Sequence, residues 1–502
     1  MVHQNPENKD KPPSSCLVEK TNNNCQKRKW RPWDERETLI KIEGESTPRG
    51  VSIRINSSLL NKDLCVEYPN SVWSKYPQEN KVKLTDNLTY IFTAHLPFLL
   101  KNNVRMEYNT GYPHVYSWAN ACFMHFLPAY WYLYRGKRGT KVFPLLKTLL
   151  NSRAYFAETK DIPPRFPRTI DEQIIIPFSF GKDSFLTYHV AKEIGLKPTL
   201  VYFNEPTEIY SKEHKLKLIK KLYQDTKKKV YYLDNPFGSL RDYGEGWFGW
   251  ELALTSWALL ALPFAYRKKA GYIVFSNETS TNNFAYDEEG LKINPDFDQS
   301  AQATEELSIV TQALSEGEVY TTTFIQGLNE LAIVGILKNR YAQKTFKYLM
   351  SCWAETVAAK HKRWCGQCTK CARLYVYLLA NGVDPIKQAG FQDNMLSADK
   401  EELYNVFGKH AAGTGWDAFG LNTEEQSLAF YLCYLRKNKD PLIKKFAKTD
   451  TFLIVKNNFD QLIKKYYSLE EEHITPLQWK KKINQIFSLS LRDIRKEIED
   501  LL

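Results

Sequence analysis

The chain has 502 residues, of which 43% are hydrophobic and 25% charged, a balance that excludes a disordered or fibrous protein and gives length for about two to four folded domains. Its 69 basic residues outnumber 57 acidic ones, and the net charge of +12 favours anionic ligands such as nucleotides and acidic metabolites. The lysine runs at Lys227, Lys228, Lys229 and at Lys480, Lys481, Lys482 read as solvated helix faces, and no segment resembles an RNA-binding module, so nucleic acid is not the favoured partner.

Residues 1–45 read as a tail, polar and rich in Asn, Lys and Pro up to Asn24, without the apolar core of a secretion signal; a cytoplasmic protein is expected. Residues 46–165 read as an α+β domain, with strands at Val51 to Ile55 and Leu88 to Ala94. Its second half, Tyr108 to Tyr134, is dense in aromatics such as Tyr112, Trp118, Phe123, Phe126, Tyr130 and Trp131, followed by Arg135, Lys137 and Arg138; core packing accounts for the rings better than a stacking platform does. Pro163, Pro164 and Pro167 mark a linker.

From residue 166 to 395 strands and helices alternate. Ile174 to Phe178, Thr199 to Phe203, Val230 to Leu233 and Tyr272 to Phe275 are apolar runs of strand length, and Ser184 to Ile194 and Leu216 to Tyr223 have helical spacing. Such alternation predicts a parallel sheet with helices on its faces. The stretch from Trp247 to Tyr266 is apolar but holds Glu251, Thr255, Ser256 and Pro263, which are costly in lipid, so it reads as a buried helix and no membrane span is expected. Leu374 to Leu379 is a helix stopped at Asn381-Gly382, and residues 396–502 are lysine-rich, amphipathic and helical.

The segment carrying the most chemistry is Ile174-Ile-Ile-Pro-Phe-Ser-Phe-Gly-Lys-Asp-Ser-Phe185, a buried strand turning into a helix at Gly181. A helix N-terminus has unsatisfied N–H groups and a positive dipole end, so a phosphate fits there. Ser179 and Ser184 add hydroxyls, Lys182 adds charge, and Gly181 lets the backbone approach an anion. Neither the Walker A pattern nor the dinucleotide glycine fingerprint is present. The residues instead resemble the PP-loop, or N-type, ATP pyrophosphatases, whose signature is Ser-Gly-Gly-Lys-Asp-Ser; Ser179, Gly181, Lys182, Asp183 and Ser184 match, with Phe180 in place of the first glycine. The resemblance implies an adenine nucleotide alpha hydrolase-like fold. It also implies that Ser179, Phe180, Gly181, Lys182, Asp183 and Ser184 bind ATP with Mg²⁺, Lys182 and Asp183 serving catalysis, and that Glu205, after the second strand, contributes to nucleotide recognition. Attack at the α-phosphate would then yield an adenylated substrate and pyrophosphate.

Nine cysteines occur, four of them within twenty positions: Cys352, then Cys365-Gly-Gln-Cys368-Thr-Lys-Cys371. Four thiolates at this spacing suit a closed tetrahedral Zn²⁺ site with a structural role; iron–sulfur ligation and an unligated core are the alternatives. His361 is a weaker fourth ligand than Cys352. A lone cysteine before such a run also resembles the zinc motif of 7-cyano-7-deazaguanine synthases, a PP-loop family.

Between the motifs, Ser276-Asn277-Glu278-Thr279-Ser280 follows a predicted strand, and Gly290, Asn294, Asp298, Ser300, Glu305 and Glu306 come next. Polar residues at the carboxyl end of a parallel strand sit where such sheets bind ligands, although an ordinary loop with an Asx turn explains them too. Glu278 is the first candidate for a general base or metal ligand and Glu251 the second. The deazaguanine synthase signature is missing here. Asn277-Glu278-x-Ser280 followed by Gly, Asn and Ser, with Ser351-Cys352 and Trp364-Cys365-Gly-x-Cys-x-Lys-Cys371, more closely resembles UDP-N-acetylmuramoyl-L-alanyl-L-glutamate epimerase. That resemblance implies a small-molecule or nucleotide-linked substrate whose terminal carboxylate is adenylated so that the α-proton becomes acidic. Deazapurine chemistry, tRNA modification and a non-catalytic ATP-binding defence scaffold are the other readings.

Overall fold

The computed structural model describes residues 37–100, 103–135, 142–158, 163–205, 210–243, 248–287, 289–352, 354, 356–408, 423–471 and 473–502. The expected tail as far as residue 36, with Cys16 and Cys25, lies outside the described residues, as do Lys137, Arg138 and Trp247.

A first sheet joins β1 (Thr38–Thr47), β2 (Gly50–Ser57), β3 (Asn61–Glu67), β4 (Val104–Tyr108) and β5 (Arg153–Tyr155) in the order β3-β2-β1-β4-β5. The first three strands are antiparallel, whereas β4 and β5 run parallel to β1. Ile40, Ile42, Val51, Ile53, Ile55, Leu64 and Val66 alternate into the core, as the two-residue period of a one-sided sheet requires. The expected strand at Val51 to Ile55 is therefore present, and β1 starts inside the segment read as tail.

The expected strand at Leu88 to Ala94 is not. Those residues end helix α1 (Gln78–Thr93), with Ala94 as its C-cap. The helix is packed between β1 and a later helix, so Leu88, Thr89, Tyr90, Ile91, Phe92 and Thr93 are all buried. Burial on every side erases the one-faced stripe that would have marked it as helical. The aromatic stretch forms α2 (Tyr116–Arg135), where Phe123, Phe126 and Tyr130 are core residues.

The second sheet contains β6 (Ile170–Pro177), β7 (Lys197–Asn204), β8 (Val230–Asp234), β9 (Ala270–Phe275) and, beyond a small hairpin of β10 (Ala285–Tyr286) and β11 (Lys292–Ile293), β12 (Tyr320–Thr323). All five are parallel, in the order β12-β9-β6-β7-β8. Its connections include α3 (Lys182–Glu193), α4 (Ser211–Thr226), α5 (Ala253–Lys268) and α6 (Ala301–Ala313). The four expected strands and both expected helices coincide with these elements, except that Phe178 lies one residue past β6 and Ile194 is the C-cap of α3. The stretch before Tyr266 is the buried helix α5, and no helix among the described residues is long and apolar enough to cross a membrane.

This sheet is covered on both faces, which is why its strands read as continuous apolar runs. Ile174, Ile176, Leu200, Tyr202 and Val274 point into one core, shared with α7 (Glu330–Ile336), α8 (Thr369–Ala380), α9 (Thr423–Leu435) and α10 (Leu477–Glu499). Ile175, Val201, Phe203, Ile273 and Phe275 point into the other, shared with the first sheet, α1 and α5. The helical C-terminal region thus packs on one face and the N-terminal elements on the opposite one.

Candidate functional site

Chain order in the parallel sheet reverses between β6 and β9, and at such a switch point the loops leaving the two strands part to leave a crevice at their carboxyl ends. A cavity of about 310 Å³ lies there. Three adjacent strands deliver residues to it: β6 gives Ser179, Gly181, Lys182, Asp183 and Ser184, β7 gives Glu205, and β9 gives Ser276, Asn277 and Glu278. These expected site residues, far apart in sequence, share one wall because parallel strands end on the same side of a sheet.

Helix α3 starts at Gly181 with no side-chain cap, leaving its first N–H groups for a ligand. The Ser179 hydroxyl accepts from the Gly181 N–H at 3.3 Å, and the Ser184 hydroxyl donates to the Gly181 carbonyl at 3.1 Å, so the two serines fix the turn. Phe180, expected to bind nucleotide as part of this loop, is not among the residues that line the cavity. Its ring is fully buried against Phe178, Phe185 and Tyr202, away from the cavity wall, and its backbone is left-handed with φ of 63°. That is the conformation a glycine adopts most easily, and glycine is what the PP-loop signature has at this position.

Lys182 is only 7% exposed, with Nζ 2.8 Å from both Asp183 Oδ1 and Glu330 Oε2. Burial works against its charge, but Asp183, Glu330 and Glu278 outweigh it and hold the ammonium above the usual lysine range. Glu330, 3% exposed, also meets Arg373 Nε at 3.4 Å; burial raises its carboxyl, and Arg373 with Lys182 brings it below the ordinary value. Glu278 goes the other way. Burial and then the Glu330 charge push it well above the carboxylate range, while both its oxygens accept from Ser280, the backbone N–H at 2.7 Å. Two carboxylates near one lysine with opposite shifts are a pattern of acid–base division.

Glu205 Oε1 accepts from Asn235 Nδ2 at 2.5 Å and from Trp257 Nε1 at 3.1 Å, so its orientation is set by two donors. The second candidate, Glu251, is buried behind the wall rather than on it. Others of the middle segment have structural duties: Ser300 caps α6, and Asn294 accepts from the Asp296 N–H and donates to the Thr281 carbonyl.

Cys352, Cys365, Cys368 and Cys371 hold their sulfurs within 4.8 Å of one another, with Cys352 to Cys368 at 4.0 Å and Cys365 to Cys371 at 3.8 Å. A tetrahedral ion bonded to sulfur at about 2.3 Å separates its ligands by about 3.8 Å, so the set fits a metal such as zinc. Backbone N–H groups of Ala354, Cys365, Gln367 and Cys371 approach these sulfurs at 3.3 to 3.4 Å, the donors thiolates need. Cys352 completes the group and His361 does not belong to it. All four positions are protein ligands, which leaves no place for a reacting water.

The cysteine segment is also attached to the loop. The Met350 N–H donates to the Phe180 carbonyl at 2.9 Å, and Lys215 Nζ bridges the Ser179 and Met350 carbonyls. Helix α8, capped by Cys368, carries Lys370 and Arg373 to the cavity. Sequence reasoning missed Glu330, Lys215, Lys370 and Arg373. Asn329-Glu330 before the apolar run of α7 was a readable helix start, whereas no local pattern distinguishes Lys215 from the other lysines of α4. No family model matches this chain, and no curated protein matches its sequence.

Proposed function

We propose that this cavity is the active site of an ATP-dependent enzyme of the PP-loop kind, one that adenylates a carboxylate acceptor and releases pyrophosphate. The observation that carries the proposal is the uncapped start of α3 at Gly181, opening with Lys182 beside it onto a cavity at the switch point of a parallel sheet. A triphosphate placed there meets backbone N–H groups, the Ser179 and Ser184 hydroxyls and the Lys182 ammonium, while Lys370 and Arg373 of the same wall add positive charge. An acceptor oxygen attacking the α-phosphorus breaks the bond to the β-phosphate oxygen, and pyrophosphate leaves as AMP is joined to the acceptor. Mg²⁺, when bound, would neutralise phosphate charge, and Asp183 on the wall would offer it a carboxylate oxygen. Glu278, whose carboxyl holds its proton more tightly than usual, is the group for any proton transfer at the acceptor, including inversion of a glutamyl α-carbon.

The test is pyrophosphate release from ATP and Mg²⁺ in the presence of candidate acids. Wild-type protein is expected to release it with a suitable acceptor, and Lys182→Ala to lower the rate by at least about a hundredfold, the scale of a lost phosphate contact. Unchanged turnover in the variant sinks the assignment, and ATP binding with no pyrophosphate under any acceptor points to a scaffold.

A further inference from the structure

The cavity wall is divided by charge. Its cations, Lys182, Lys215, Lys370 and Arg373, come from the loop, α4 and α8. Among the described residues the segment 250–299 contributes no lysine or arginine to the wall; it contributes Trp250, Trp257, Asp296 and Asp298. Asp298 is 4% exposed, and its Oδ2 has no hydrogen-bond partner. Leaving a carboxyl oxygen buried without a partner is costly, and Asp298 is among the residues that line the cavity, so a ligand's donor is what would satisfy it.

We propose that Asp298 is the receptor for a cationic, amine-bearing group of the acceptor, held between the Asp298 and Asp296 carboxylates and the neighbouring tryptophan rings. Three observations favour an organic cation. Its neighbours add negative charge, since Asp296 and the buried Glu251 both act on Asp298; with burial they keep its proton on until a cation arrives. The wall includes the indoles of Trp250 and Trp257, and indole rings attract ammonium groups. Among the described residues the four cysteines are the group with metal-ligand geometry, so the acidic trio does not converge as a metal site. An acceptor of this kind combines a carboxylate for adenylation with an amine for recognition, a charge distribution that an anionic nucleotide-linked acceptor lacks. The acceptor role rests on the proposed function; the cation preference of this wall does not.

Titration calorimetry with n-butylammonium, butyrate and n-butanol as probes tests it. Wild-type protein is expected to bind butylammonium at least tenfold more tightly than either other probe and, in buffers of different ionisation enthalpy, to release a proton on binding. Asp298→Asn keeps the Oδ1 that accepts from the Leu254 N–H and is expected to lose both the preference and the proton release. Absence of butylammonium binding, equal binding of butyrate or butanol, or an unchanged preference in the variant overturns the proposal. Binding of α,β-methylene-ATP is measured in the same samples. Loss of nucleotide binding with ammonium binding intact sinks the ATP reading alone, and the converse sinks this one alone.

Discussion

Two turns lead into helices beside the cavity, and each sends one residue through left-handed backbone: Gly366 with φ of 67° before α8, and Phe180 with φ of 63° before α3. At Gly366 a Cβ would lie 2.4 Å from Asp393 Oδ2, whose carboxylate is held by Lys362 at 2.8 and 3.0 Å. A side chain enters there only if Asp393 shifts. At Phe180 the ring fills a buried space among Phe178, Phe185 and Tyr202, with the Lys215 ammonium 5.8 Å from its centre. A left-handed residue other than glycine costs about 1–2 kcal/mol, and burying a phenylalanine returns about 1.5–3 kcal/mol. One turn is shaped by what must be kept out and the other by what must be filled, so the same backbone conformation accepts opposite residues.

Removing the metal expected at the cysteines breaks the comparison most severely. Structural zinc contributes on the order of 10–16 kcal/mol of apparent binding energy in zinc-finger peptides, and here it would restrain both the Gly366 turn and, through Met350 and the Phe180 carbonyl, the other turn. Metal analysis is expected to find zinc. Chelation should lower the melting temperature more than any single substitution below and weaken ATP-analogue binding with it. An unchanged melt would show that the four sulfurs pack without an ion.

The next effect comes from exchanging side chains at the two turns. Phe180→Ala and Phe180→Gly both lose the ring, at about 3–5 kcal/mol, yet the glycine variant should be the more stable of the two by about 1 kcal/mol because it relieves the left-handed strain. Gly366→Ala should be destabilising by more than the 1–2 kcal/mol of strain alone, since Asp393 must move off Lys362. Urea unfolding of the three variants measures the order. Alanine outranking glycine at position 180 would remove the physical basis for reading Phe180 as a stand-in for glycine.

How much was legible follows the same lines. The strand from Ile174, the turn at Gly181 and the four cysteines were readable because each needs only neighbours in sequence: an apolar run, a helix start, a ligand spacing. Strand β12 was missed because Tyr320-Thr-Thr-Thr323 looks polar. Its hydroxyls are satisfied one by one, Thr321 by the Thr304 carbonyl, Thr322 by that of Ile474 and Thr323 by that of Asn277, which makes a threonine run as buriable as a valine run. Leu88 to Ala94 was misread because burial on all sides hides periodicity. Glu330 and Arg373 escaped because their meaning lies in meeting Lys182 across the fold.

A third helix start adds the smallest and most specific effect. Helix α7 begins at Glu330, and its Leu331 N–H donates to Glu425 Oε1 of α9 at 2.7 Å, so a cap for the site comes from the C-terminal region. Glu425 is fully buried, its other oxygen has no hydrogen-bond partner, and burial followed by the Glu330 charge pushes its carboxyl up to about 8. In the unfolded chain the same group ionises near 4.5. Between pH 4.5 and 8 the unfolded state therefore gives up a proton that the folded state keeps, so this contribution to stability is whole below that window and declines as pH rises across it. Glu425→Gln keeps the oxygen that caps Leu331 and cannot ionise. Relative to wild type it should gain stability steadily from pH 5 to pH 8 in urea titrations. A difference that shrinks over that range would mean that Glu425 is already ionised in the fold, and that Lys182 and Arg373 answer to two buried charges instead of one.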